Sequence, residues 1–299
     1  MKSPFLSDIT ACLTPISDTP ALDASVLIAH VINKPRSWVI AHHELTLNTA
    51  QQKLLDDSLV RLKSGEPFPY ILGHWEFFGL QLDITPDTLI PRPETELLVE
   101  KAIAWLQGHP AKRSVADVGT GSGAIAVSIA VNVPDAKILA TDISYNALQV
   151  AKRNAEKFGV SQRIKFAECD LLPDHRQQTA DSSSFTLHPS SLDLICANLP
   201  YIPTTTLRGL PIYNHEPTLA LNGGEDGLAP FRKLLVISPD LLAPDGMMLL
   251  EIESTHGLKA LSLAGAAFPE ARISLHQDLA GKDRLLIVKL SGKADRNKQ

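Results

Sequence analysis

Ser114-Val-Ala-Asp-Val-Gly-Thr-Gly-Ser-Gly-Ala-Ile-Ala-Val-Ser-Ile-Ala130 decides the fold. Ser114–Val118 is a short apolar run ending in an acid, the pattern of a strand buried on both faces of a parallel sheet. Gly119, Gly121 and Gly123 follow at alternate positions, and Ala124–Ala130 has the composition of a packed helix. Strand, glycine turn and helix in that order give a glycine motif its meaning. The pattern then repeats. Lys137–Thr141 reads as the next strand, closed by Asp142, and Ala147–Phe158 as a helix. Ile164–Ala167 and Leu192–Ala197 read as further strands, Leu228–Leu242 as a helix and Met247–Ile252 as a strand. Such alternation predicts an α/β, Rossmann-like, doubly wound sheet. Arg272–His276 and Leu285–Leu290 have no helix between them, so one antiparallel strand is expected at the sheet edge.

Glycines let the backbone turn tightly and let a ligand approach without meeting a Cβ. Asp117 and Asp142 stand at two successive strand ends, so the loop reads as the floor of a nucleotide-like cofactor site rather than a plain turn. Asp142 is placed to accept both hydroxyls of a ribose. Asp170, after the third strand, either meets an adenine amino group or serves as a turn acid. The spacing G-x-G-x-G differs from the G-x-G-x-x-G of nicotinamide enzymes and favours S-adenosylmethionine.

Asn198-Leu-Pro-Tyr201 follows the strand Leu192–Ala197. Ligands of open α/β sheets bind beyond the carboxyl ends of the strands. The Asn198 side-chain oxygen and the Leu199 carbonyl can accept two N–H bonds from one planar amide. Pro200 stiffens the turn and holds Leu199 extended. Tyr201 can pack on a flat group and face a sulfonium methyl. An amide nitrogen is barely basic, so its methylation calls for positioning and electrostatics rather than a strong base.

With these residues in view, the chain resembles the HemK-type protein-(glutamine-N5) methyltransferases, whose tetrapeptide is usually Asn-Pro-Pro-Tyr. Gly65-Glu-Pro-Phe-Pro-Tyr-Ile-Leu-Gly73, Trp75-Glu-Phe-Phe-Gly79 and Leu89-Ile-Pro-Arg-Pro-Glu-Thr-Glu96 resemble the family's linker region. Glu216-Pro-Thr-Leu-Ala-Leu-Asn-Gly-Gly-Glu-Asp-Gly227 and Asp278-Leu-Ala-Gly-Lys-Asp-Arg284 resemble its later signatures. The departures are Leu199 for proline and Glu253 where the family usually has glycine. The resemblance implies a class I methyltransferase sheet of seven strands with one antiparallel. It implies S-adenosylmethionine as methyl donor, held by Gly119, Thr120, Gly121, Ser122, Gly123, Asp142, Asp170, Leu171 and Asn198. It implies a glutamine held by Asn198, Leu199, Pro200 and Tyr201, with Asn198 and Tyr201 catalytic. The substrate implied is the Gly-Gly-Gln glutamine of class I peptide chain release factors. A nucleic-acid amino methyltransferase for adenine or cytosine is the alternative, as is a cofactor-binding relative without turnover.

The remaining sequence bounds these readings. The 299 residues, 44% hydrophobic and 20% charged, allow two domains and a sizeable core. A net charge of −5 disfavours a duplex-binding surface, and no nucleic-acid partner is expected. No run is apolar and long enough to span a bilayer, and no signal core opens the chain, so a cytoplasmic location is expected; a monomer is expected as well. Three scattered cysteines and ten histidines form no ligand pattern, and no metal is expected.

Residues 1–75 read as a helical domain, which either packs for stability alone or engages the release factor. Thr19-Pro20 starts one helix, and Asn48 with Gln51 makes a capping box for another that runs to Lys63. Residues 76–92 alternate as a β-hairpin linker. Arg92 and Glu94 open a helix through Trp105, and either cap it or close over the cofactor. Residues 93–290 form the methyltransferase domain. Residues 174–191 read as a surface loop and 291–299 as a disordered tail.

Overall fold

A computed structural model describes residues 4–42, 44–173 and 188–291. The tail from 292, and the expected loop over 174–187, lie outside the described residues. The chain divides into two compact units, residues 1–73 and 74–299.

The first unit is helical: α1 (Pro4–Leu13), α2 (Pro20–Ile32), α3 (Arg36–Ala41), α4 (Thr49–Lys63) and α5 (Phe68–Leu72). Leu13, Leu27, Ile28 and Leu55 are its buried centre. The capping box of α4 forms: Asn48 Oδ1 accepts from the Gln51 amide at 2.9 Å, and Gln51 Oε1 accepts from the Asn48 amide at 3.0 Å. Two otherwise orphaned donors are thereby satisfied. Thr19 precedes α2 without a side-chain cap, so Pro20 alone marks that start.

The second unit opens with a hairpin, β1 (His74–Phe77) and β2 (Leu80–Asp83). Pairing ends at Asp83, although the alternation continues in sequence to about residue 92. Pro86, Pro91 and Pro93 supply no N–H to a ladder, and the chain turns instead at Thr85–Thr88, where the Thr88 amide donates to the Thr85 carbonyl at 3.0 Å. The sheet follows: α6 (Thr95–Gly108), β3 (Ser114–Val118), α7 (Ala124–Asn132), β4 (Lys137–Asp142), α8 (Tyr145–Lys157), β5 (Ile164–Glu168) and β6 (Leu192–Ala197). It is completed by α9 (Thr204–Leu207), α10 (Thr218–Leu221), α11 (Ala229–Leu241), β7 (Leu242–Glu251), α12 (Gly257–Ala267), β8 (Arg272–Gln277) and β9 (Asp283–Lys289).

Among the described residues, seven strands form one sheet in the order β5-β4-β3-β6-β7-β9-β8. All neighbours pair parallel except β9, which is antiparallel to both β7 and β8. The antiparallel strand therefore lies one place in from the edge, and β8 is the edge strand. The short turn between β8 and β9 makes them a hairpin, so β9 can only return beside β8. This is the class I methyltransferase fold. Alternate residues serve opposite faces of the sheet. Val115, Ile138, Leu194 and Leu249 pack with α6 and α7. Ala116, Leu139, Ile195 and Met248 pack with α11 and α12. The chain order reverses between β3 and β6, which opens a crevice at their carboxyl ends.

Candidate functional site

A cavity of about 340 Å³ lies in that crevice. Its floor is the glycine loop after β3. Both Gly119 and Thr120 donate their amides to the Thr141 carbonyl, at 2.9 and 2.8 Å. The Thr141 hydroxyl donates to the Leu171 carbonyl at 2.5 Å. Leu171 is held at φ 68°, a left-handed conformation rare for leucine, on the cavity wall. Thr141 thus ties two walls together, a role its place inside an apolar strand does not announce.

Asp117 is buried beneath the loop. Its Oδ2 accepts from Thr120 Oγ1 at 2.6 Å and from the Ala126 amide at 3.0 Å. Burial pushes its carboxyl up to about 7, against the pull of those two donors. Asp142 lines the cavity and already braces it: Oδ2 accepts from the Gly121 amide and Oδ1 from the Ser144 amide, each at 2.9 Å. Burial also raises the Asp142 carboxyl, and the amides of Ser144 and Gly121 oppose that rise.

Gly119 has φ 73°, and a Cβ there would sit 3.2 Å from Leu199 Cδ2. The loop and the Asn198 turn therefore touch directly. Gly123 differs in kind from the other glycines. With φ 82°, its missing Cβ would lie 3.1 Å from Ala151 Cβ, so it lets α7 approach α8. Gly123 does not line the cavity, whereas Gly119, Thr120, Gly121 and Ser122 do. At Gly123 the missing Cβ therefore also serves the packing of the two helices.

Asp170 and Leu171 line the opposite wall. Asp170 pairs with Lys233 of α11 at 3.2 Å, with both side chains largely exposed. Cys169 lies beside them, and burial raises its thiol to about 11, so it stays protonated at neutral pH.

Asn198, Leu199 and Pro200 form the remaining side. Asn198 Nδ2 donates to Thr95 Oγ1 at 3.0 Å, and Thr95 Oγ1 donates to Glu251 Oε2 at 2.7 Å. Thr95 and Glu251 are both buried. Burial pushes the Glu251 carboxyl up to about 7. Tyr201 is not part of the cavity wall. Its hydroxyl is raised to about 12, chiefly by burial and then by the Glu251 charge. Tyr201 follows the Asn198–Pro200 wall directly in the chain and is partly buried.

The segment before α6 supplies the roof through Asp87, Leu89 and Pro91. Arg92 pairs with the buried Glu216, whose Oε2 also accepts from the Ile90 amide at 3.3 Å. Neither Arg92 nor Glu94 caps α6 by a side-chain bond. Arg92 therefore holds the roof to the Glu216–Gly227 segment. That segment in turn bridges Ile202 to Asn222, next to the Asn198 turn. Glu253 accepts from the Thr255 amide at 2.7 Å at φ −69°, so no glycine is required there.

Thr95, Thr141, Ser144, Glu216 and Glu251 are site residues that the sequence did not single out. Thr95 and Glu216 lie within quoted signature segments, which is the signal that points to them. Glu251 sits two places before Glu253, in the same acidic run.

Residues 5–73 match the PrmC N-terminal domain and residues 94–182 the Methyltransferase small domain. A release factor glutamine methyltransferase from Moorella thermoacetica is 39% identical over 272 residues, covering 91% of this chain and 92% of that protein. One from Coxiella burnetii is 38% identical over 285 residues, covering 94% and 96%. The hMettl16 catalytic domain is 17% identical with a TM-score of 0.50, covering 83% of this chain and 84% of that one; it shares the fold alone. On the strength of the full-length relatives, this chain belongs to the release factor glutamine methyltransferase family.

Proposed function

We propose that this protein transfers a methyl group from S-adenosylmethionine to the side-chain amide nitrogen of the Gly-Gly-Gln glutamine in class I peptide chain release factors. The relatives' names support the reaction class and the release factor as acceptor. One observation carries it to this site. Asn198 Nδ2 is occupied by Thr95, which leaves Oδ1 as an acceptor at the cavity.

The cavity suits the donor. Gly121 has open space where a Cβ would stand, so backbone and ligand can meet closely. Asp142 presents carboxylate lone pairs beyond the two that hold Gly121 and Ser144. Gly119–Gly123, Asp142, Asp170, Leu171 and Asn198 are the residues assigned to hold it. Bound there, S-adenosylmethionine supplies a methyl carbon activated by its sulfonium.

The protein's share is orientation. Asn198 Oδ1 and the Leu199 carbonyl accept the two N–H bonds of the substrate amide. Leucine serves at 199 because the acceptor is main-chain. The nitrogen is thereby aimed at the methyl carbon; as the N–C bond forms the S–C bond breaks, its electron pair stays on sulfur, and the nitrogen passes its surplus proton to solvent. A fixed pair of acceptors costs no reorganisation during the reaction. Tyr201 packs on the flat amide as the second catalytic residue, and no metal enters the scheme.

In the same proposal residues 1–75 engage the release factor, residues 76–92 link, and residues 93–290 carry the chemistry. The enzyme acts as a cytoplasmic monomer. Among the described residues, no helix is long and apolar enough to cross a membrane.

The test is methyl transfer from labelled S-adenosylmethionine to purified release factor, beside its Gln→Ala variant and a DNA control. Label on the wild-type factor alone is expected. Label on the variant would move the acceptor elsewhere, and label on DNA would overturn the protein-substrate reading.

A further inference from the structure

Asn198 is useful as an acceptor only in one of its two amide orientations. Rotated by half a turn, it would offer Nδ2 to the substrate N–H, and two donors would face each other. Nothing in Asn198 itself prefers either orientation. Its one hydrogen-bond partner among the described residues is Thr95 Oγ1, at 3.0 Å.

A threonine hydroxyl has a single proton and two lone pairs. Glu251 Oε2 lies 2.7 Å from the same oxygen, and an ionised carboxylate only accepts. The Thr95 proton is therefore committed to Glu251, and Thr95 can only accept from Asn198. Oδ1 turned toward Thr95 would meet lone pairs with no proton between them. Glu251 lies on β7, Thr95 in the first turn of α6 and Asn198 after β6, so three separate elements fix the chain of bonds.

We propose that Glu251 is a positioning residue that, through Thr95, sets which end of the Asn198 carboxamide faces the substrate. The inference rests on the methyltransferase reading above and deepens it. The charged and titratable groups around Glu251 are Arg284, Glu94, Arg92 and Tyr201. A proton on Glu251 makes it a possible donor to Thr95 and releases the direction of the chain. Protonation near its raised value of about 7 then lowers turnover far more than cofactor affinity, since Thr95 and Asn198 line the cavity but Glu251 does not.

The experiment uses the full chain with release factor. Thr95→Val keeps the shape and removes the hydroxyl. It is expected to lower kcat roughly 100-fold, with a far smaller loss of S-adenosylmethionine affinity by calorimetry, although Thr95 lines the cavity. Thr95→Ser is expected to restore turnover. The wild-type kcat is expected to fall as pH drops through about 7, and Glu251→Gln to flatten that limb. A Thr95→Val enzyme with wild-type kcat would overturn the relay while leaving the function intact. So would equal losses in kcat and cofactor affinity. If Thr95→Val fails to fold, an unchanged acid limb in Glu251→Gln overturns it instead. A wild-type enzyme that leaves release factor unlabelled overturns the reading beneath.

Discussion

The carboxamide of Asn154 pairs with both main-chain groups of Asp83: Oδ1 accepts from the amide at 2.7 Å, and Nδ2 donates to the carbonyl at 2.9 Å. Nδ2 also donates to the Ser122 carbonyl at 2.8 Å. One fully buried side chain thus ties the end of the hairpin to the glycine loop. Asn154→Leu leaves those backbone groups without their partner. A loss on the order of 3 kcal/mol is expected, read as a lower urea midpoint at unchanged slope.

Gly119→Ala tests the contact between the two motifs. The new Cβ meets Leu199 at 3.2 Å, and φ 73° disfavours any L side chain. Strain of about 1–2 kcal/mol is expected. Weaker S-adenosylmethionine binding and lower kcat should appear together, because floor and substrate turn both shift. A change confined to stability would separate the contact from the site.

Asp142 and Asn198 should fail differently. Asp142→Ala frees the Gly121 and Ser144 amides and removes the acid from the cavity wall, so the cofactor dissociation constant should rise by roughly 10- to 100-fold. Asn198→Ala removes an acceptor for the substrate, so kcat should fall with cofactor affinity retained. Calorimetry beside steady-state kinetics distinguishes the two patterns.

Glu251 also links stability to pH. Its folded-state value, about 7, lies above the ordinary 4.5. Between these values the folded chain keeps a proton that the unfolded chain has released. Its stabilising contribution is therefore full below about 4.5 and is lost as pH rises through about 7. Relative to Glu251→Gln, the wild type should lose on the order of 3 kcal/mol between about pH 4 and pH 8. Urea unfolding of both proteins across that range checks it. A constant difference between them would mean that Glu251 has an ordinary value.

Local rules made much of this molecule readable. The alternation of apolar runs and helices located the strands of the sheet, because buried parallel strands need continuous apolar stretches; β7 differs most, beginning at Leu242 rather than Met247. The Asn48 capping box was legible because both of its bonds are three residues apart. The glycine loop, Asp142 and the Asn198 turn were legible because strand ends collect ligands. The placement of β9 was less so: pairing partners depend on where a hairpin docks, which no local pattern encodes. Thr95 lies 156 residues from Glu251 and 103 from Asn198. Bonds of that span exist only once the sheet has formed. Gly123 carries the same signal as Gly121 in sequence, and only the approach of Ala151 tells them apart.

The position of β9 has a consequence for how the enzyme comes into being. Among the described residues it is the last strand in sequence, yet it lies between β7 and β8, and Leu285 pairs directly with Glu251. Until it is made, β8 has no neighbour in the sheet, and the strand carrying Glu251 has an open edge. A product cut short before Leu285 would have the whole glycine loop and the Asn198 turn, but not the closed sheet behind them. Closure of the sheet behind Glu251 thus rests on Asp283–Lys289, which pairs on one side with the strand carrying Glu251 and on the other with β8.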